Sequence, residues 1–143
     1  MLKFLKKGDE GRETEDKEKN TKMKDGLDNN IFYQFSLELW DEFWSDSAIL
    51  LNDVRGREIA KQMTRSVGSI SANIEEGYGR GFGKEYPQFL RIARGSARES
   101  KGWYIKSKFL LQHTEIDTRI KKLDSIIAMI TKSIQTLENK NKK

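Results

Sequence analysis

The sequence has no cysteine, one proline (Pro87) and one histidine (His113) among 143 residues. Without thiols there is no disulfide, no thiolate nucleophile and no cysteine-based zinc site. No apolar run approaches the roughly 18 residues needed to span a bilayer. The opening MLKFLKK is too short for a secretory signal, and acidic residues follow it at once in place of an apolar region and cleavage site. These absences predict a cytoplasmic protein that does not enter a membrane. They also leave little for catalysis. His113 has no serine singled out beside it for a Ser-His-Asp arrangement. The residue three before it is Leu110, which excludes the Glu-x-x-His pair of a di-iron bundle. Glu75 and Glu76 are adjacent, so on a helix they point about 100° apart and do not form an acid/base dyad. Neither an enzyme nor a cofactor is expected, and His113, placed near the end of a third helix, is expected to favour that helix's dipole.

Long alternating runs are absent too, while 34% of the residues are charged and 36% apolar, a helix-friendly balance for one domain. The net charge of +5 is unevenly spread: residues 28–54 hold six acids and no Lys or Arg, whereas residues 55–112 hold twelve basic and five acidic groups. Residues 1–27, nearly all charged or polar and without an apolar period, predict a disordered charged tail ahead of a bundle domain over residues 28–140.

Four amphipathic helices are expected. The first spans residues 30–53, with Phe32, Phe35, Leu39 and Phe43 at helical spacing and Trp40 and Trp44 widening the stripe. Gly56 marks a break. The second spans 57–77, with Ile59, Met63, Val67, Ile70 and Ile74 on one face and Gly77 as its stop. The third spans 84–112, where Pro87 sits harmlessly in the first turn. Its seam of Tyr86, Leu90, Ala93, Ala97, Ser100, Tyr104, Ser107 and Leu111 repeats 4, 3, 4, 3, and its small centre predicts close packing. The fourth spans 115–138, with Ile116, Ile120, Leu123, Ile127, Ile130, Ile134 and Leu137 in the same rhythm and Thr114 as cap. Such a set, joined by short connections, predicts an all-α, antiparallel up-down-up-down four-helix bundle.

Four glycines alternate from Gly77 to Gly83. A Walker loop follows a strand and ends in Lys-Ser or Lys-Thr, but here a helix precedes and Glu85 follows Lys84. The stretch reads as a helix–helix corner whose glycines permit positive φ. Arg80 within it is a candidate phosphate contact, or a solvated turn residue.

On the third helix, Arg91, Arg94, Arg98 and Lys101 fall on one flank of the seam, while Ile92, Ser96, Trp103 and Leu110 fall on the other. The second helix adds Arg57, Lys61 and Arg65 at i, i+4 and i+8. Such basic lines suit nucleic-acid backbone, or else a solvated face, or one paired with an acidic surface. Trp40, Trp44, Ile92, Trp103 and Leu110 exceed the apolar needs of a lone bundle and are expected at an oligomer interface. An acidic first helix meeting basic second and third helices head to tail predicts a cyclic homo-oligomer. The alternative function is a protein-interaction scaffold. Its basic face would dock an acidic partner, or its own acidic first helix across subunits, with Arg94 and Arg98 facing Asp41, Glu42 or Asp46.

The motifs SISANIEEG (69–77) and EYPQFLRIARGSARE (85–99) resemble the family of proteins encoded in 23S ribosomal RNA intervening sequences, relatives of the accessory variability determinant proteins of diversity-generating retroelements. Ser69, Ile70, Asn73, Ile74, Glu76 and Gly77 match the first half of the pattern, and Phe89, Leu90, Ala93, Gly95, Ser96 and Glu99 the second, with Tyr86 as the aromatic. The resemblance covers about residues 35–137. It implies a four-helix bundle, commonly a barrel-like pentamer, and no enzyme. It implies a role beside nucleic acid, RNA or DNA, and a reverse transcriptase partner in a retroelement setting; the function expected is a non-enzymatic oligomer that binds nucleic acid, structured RNA in the first place, through its basic surface. Ser69, Gly95 and Ser96 look like close-packing positions, and Asn73, Glu76 and Glu99 like polar anchors between helices.

Overall fold

A computed structural model of the chain describes residues 25–81 and 83–141, so the expected tail lies almost wholly outside the described residues. The chain divides into two units, residues 1–30 and 31–143. In the first, residues 25–30 form a turn in which Asp25 Oδ1 accepts from the Leu27 N–H at 2.9 Å and the Asn30 N–H donates to the Leu27 carbonyl at 2.9 Å.

The second unit holds four helices: α1 (Ile31–Leu50), α2 (Val54–Gly79), α3 (Glu85–Lys106) and α4 (His113–Asn141), with no strand among the described residues. Cross-helix contacts give their directions. The Tyr33 hydroxyl near the start of α1 donates to Glu75 near the end of α2, at 2.7 Å, while Gly56 at the start of α2 abuts Leu50 at the end of α1. Ser66 meets Ser100, Ser69 meets Ser96, and Gly77 meets Phe89, so α3 runs back along α2. Lys101 meets Asp124 and Arg94 meets Thr131, so α4 runs back along α3. Arg119 meets Asp46 and Lys122 meets Glu38, which returns α4 beside α1 in the opposite sense. Each neighbouring pair is thus antiparallel.

The seams bury what their spacing predicts. All eight seam residues of the third helix, Tyr86 through Leu111, are buried. On α4, Ile116, Leu123, Ile127, Ile130 and Ile134 are buried, and Ile120 and Leu137 half-buried. Where α2 and α3 touch, side chains are small. The Ser100 and Ser66 hydroxyls hydrogen-bond at 2.9 Å and the Ser96 and Ser69 hydroxyls at 3.1 Å, so the polar groups inside this close contact have partners across it. Gly77 belongs to the same contact, because a Cβ there would lie 2.7 Å from the Phe89 Cβ.

Several local expectations need correction. Gly56 does not break the chain. The helix start is set by Asp53, whose carboxylate accepts from the Arg55 N–H at 2.8 Å and the Gly56 N–H at 3.1 Å, an N-cap that satisfies two orphan donors. Gly77 does not stop α2, which continues to Gly79; the positive φ of +93° falls on Gly81 instead. The third helix ends six residues early, at Lys106, through a turn in which the Ser107 N–H reaches the Trp103 and Tyr104 carbonyls. His113 therefore opens α4 and is exposed, where a histidine has no C-terminal dipole to favour. The polar anchors also differ. The Asn73 amide bonds within its own helix to Ser69, Glu76 pairs with Arg80, and Glu99 is exposed. Gly95 is not a close-packing position among the described residues, since a Cβ there would meet nothing within 4 Å.

The Asp53 carboxyl is held down to about 2, first by the Arg55 side chain and then by the Gly56 N–H. A folded pKa below the unfolded one gives stability that is fully present above about pH 4 and fades as pH falls towards 2. The expected outcome is that Asp53→Ala lowers the melting temperature at pH 7, and that the gap to the wild type closes in melts taken between pH 4 and 2.

Candidate nucleic-acid interface

The basic residues singled out by sequence sit in three places. The first is the α3–α4 seam. Arg91 forms an ion pair with Glu138, Lys101 with Asp124 at 2.7 Å, and the half-buried Arg94 donates to Thr131 Oγ1 at 3.1 Å. These three cations hold α3 to α4 along the flank where the wheel puts them. Arg98, on the same flank, is exposed and has no ion pair among the described residues.

The second is the α2–α3 corner. Arg80 pairs with Glu76 at 2.9 Å and with Glu85 at 3.6 Å, and its guanidinium lies 5.1 Å from the centroid of the Phe89 ring. Its pKa is pushed up by the Glu76 hydrogen bond. The corner arginine is thus spent on clamping its own turn.

The third is the outer face of α2. Arg57, Lys61 and Arg65 are exposed, and none has a carboxylate at ion-pair distance among the described residues. Arg57 Nε donates to the Leu51 carbonyl at 3.0 Å, which holds the guanidinium beside the end of α1 and leaves its charge uncompensated. By the wheel this line turns towards α1, away from the α3 flank, so the two basic lines are not one stripe.

Between α1 and α2 lies a groove of about 390 Å³. Phe43, Trp44, Ser47 and Ala48 line it from α1, Leu51 from the turn that follows, and Arg57, Ala60, Lys61 and Thr64 from α2. Trp44 is 67% exposed. Trp40 underlies it at 6.2 Å between ring centroids and packs on Gly68, where even a Cβ would lie 3.2 Å from the indole.

The expected interface residues separate accordingly. Trp40 is half-buried in the α1–α2 contact, Trp103 is half-buried beneath Lys106, and Leu110 is half-buried on Gly56. Trp44 and Ile92 remain exposed, on different helices. Ile92 shares the outer face of α3 with Gly95 and Gly102, both of which have open space where a Cβ would stand.

Sequence reasoning missed the strongest polar feature of the bundle. Asp46, 2% exposed, accepts from the Tyr104 hydroxyl at 2.7 Å, Arg119 Nε at 2.9 Å and Arg119 Nη2 at 3.1 Å. Arg119 also meets Glu42 at 2.5 Å, and Lys122 bridges Glu42 and Glu38. Burial, then the Asp46 hydrogen bond, pushes the Tyr104 phenol up; the Asp46 hydrogen bond, foremost, pushes the Arg119 guanidinium up. The available signal was spacing: Glu38, Glu42 and Asp46 recur every four residues on α1, and Arg119 and Lys122 are three apart on α4. Three of the acids available to the basic face of another subunit are thus engaged within the chain.

Among the described residues no cluster of His, Asp and Glu could hold a metal ion, and no helix is long and apolar enough to cross a membrane. The family described as 23S rRNA-intervening sequence protein matches residues 28–132. The crystal structure of a protein of unknown function from the S23 ribosomal protein family of Bacteroides thetaiotaomicron has a similar fold. The TM-score is 0.65 at 23% identity, and the match covers 72% of this chain and 97% of that one. No curated protein matches the chain.

Proposed function

Because the chain belongs to the 23S rRNA-intervening sequence protein family, we propose that it is a non-enzymatic, self-associating helical bundle that binds structured RNA through the outer face of α2. The observation that carries this is a contrast. Arg80, Arg91 and Lys101 are matched to carboxylates of their own chain, whereas Arg57, Lys61 and Arg65 are exposed with none at ion-pair distance among the described residues. Cations spaced one turn apart along a helix neutralise backbone phosphates and release their counterions. Arg98 adds a further uncompensated charge on α3. The alternative, docking of the chain's own acidic first helix across subunits, is weakened by the internal pairing of Glu38, Glu42 and Asp46. Self-association is supported by the outer face of α3, where Ile92 is exposed beside the open Gly95 and Gly102.

The test is fluorescence anisotropy with a labelled RNA stem-loop over a salt series. The triple variant Arg57→Gln, Lys61→Gln, Arg65→Gln is expected to bind more weakly and to lose about 2–3 from the slope of log affinity against log salt, as the loss of three phosphate contacts requires. The variant Arg91→Gln, Arg94→Gln, Lys101→Gln should lose thermal stability and keep that slope. No binding by the wild type at low salt would show the nucleic-acid reading to be wrong.

A further inference from the structure

We infer that the α1–α2 groove receives an unpaired nucleobase of that RNA, stacked on Trp44, while the adjoining phosphates lie on Arg57 and Lys61. The inference rests on the nucleic-acid reading and adds a substrate class to it: RNA that displays unpaired nucleotides, in a loop or a bulge, in preference to an uninterrupted duplex.

Trp44 supplies the surface. A tryptophan that is 67% exposed at mid-helix contributes little to the core. Here it is also held in place, because its ring lies against Trp40, which is wedged on Gly68. A fixed aromatic face at a groove is what a base stacks upon, and the stack needs no particular base because every base has a π-face. The walls suit the rest of a nucleotide. The Ser47 hydroxyl donates to the Trp44 carbonyl at 2.7 Å and the Thr64 hydroxyl to the Ala60 carbonyl at 2.7 Å, so both oxygens keep lone pairs for amino groups of a base. The Arg57 guanidinium, tethered to the Leu51 carbonyl, and Lys61 line the α2 side. Among the described residues, no carboxylate lines the groove. Aromatic face, hydroxyl walls and a one-sided cationic rim together match an unpaired nucleotide. A duplex, whose bases are stacked on each other, offers only its backbone to such a site.

The test uses the full-length protein with a fluorescent RNA stem closed by an adenine-rich loop, and the same stem as a blunt duplex. The wild type is expected to prefer the looped RNA. Trp44→Ala is expected to weaken loop binding roughly ten- to a hundredfold, the loss expected from one base–aromatic stack. Its duplex affinity and salt slope should be unchanged, and Trp44→Phe should retain most of the loop preference. Circular dichroism melts of both variants should match the wild type, since the side chain is largely exposed. Equal binding of loop and duplex by the wild type, or loop binding by Trp44→Ala at wild-type strength, would overturn the inference and leave the cationic-line reading intact. Loss of all RNA binding in the wild type overturns both. An acidic amphipathic peptide that competes with the loop RNA only while Trp44 is present would assign the groove to a protein helix instead.

Discussion

Replacing Asp46 with alanine is expected to destabilise the protein by about 3–5 kcal/mol, the loss typical when one member of a buried ion pair is removed. The size follows from what is left behind. The side chain of Arg119 is 14% exposed and that of Asp46 3%. Without the carboxylate, among the described residues the guanidinium keeps only Glu42, and the buried Tyr104 hydroxyl has no acceptor. For a chain of this length the loss corresponds to a fall in melting temperature of roughly 10–20 °C. Chemical unfolding of the variant measures it directly, and a loss below about 1 kcal/mol would show that water or relaxation replaces the carboxylate. A second variant separates net stabilisation from the cost of an unpaired charge. Asp46→Leu combined with Arg119→Met and Tyr104→Phe removes every member of the central cluster at similar volume, and is expected to be far more stable than Asp46→Ala alone. That result would mean the cluster's main contribution is to fix the register of α1 against α3 and α4. It joins three helices at one level, and a shift of one turn would strand all three groups.

That cluster also shows where periodicity stops being informative. The third-helix seam was legible residue by residue, because a heptad of apolar and small side chains has one way to be buried. Asp46 was readable by position, three residues after Phe43 and four before Leu50 on the core stripe, yet its charge suggested a role outside the chain. Arg119 and Lys122 look like solvated residues beside the α4 seam; only the approach of α1 turns them inward. The same holds for Arg91, Arg94 and Lys101, whose flank was placed correctly and whose partners, on α4, were not foreseeable from α3 alone. Helix ends failed for a related reason. Ser107 and Leu111 keep heptad register and burial through the turn after Lys106, so the pattern runs on where the helix does not. At the start of α2, Gly56 has the look of a breaker, but the Asp three residues ahead of it is the better helix-start signal, because its carboxylate caps the first turn.

Substituting leucine at both Gly95 and Gly102 is expected to abolish self-association while making the individual bundle more stable. The two glycines lie seven residues apart on the outer face of α3, within a helix where glycine is the poorest residue short of proline. Among the described residues nothing requires them, because a Cβ at either position meets nothing within 4 Å. Gly77, by contrast, is closed in by Phe89 and Tyr86, and Gly56 by the Leu50 carbonyl. Two open glycines at heptad spacing beside the exposed Ile92 are accounted for if another helix approaches that face closely enough to exclude side chains. Each glycine replaced in a helix gains about 0.5–1 kcal/mol from propensity alone. The double variant should therefore melt higher as a monomer, and light scattering should show it at a lower mass than the proposed wild-type assembly. A stabilised variant that keeps the wild-type mass would move the contact off α3, towards the other exposed apolar residues of the bundle. A wild type that is monomeric at micromolar concentration would remove self-association altogether, and with it the reason proposed for the glycines. The two readouts move in opposite directions only if the glycines serve an interface, and that opposition distinguishes an assembly surface from a helix face that merely tolerates glycine.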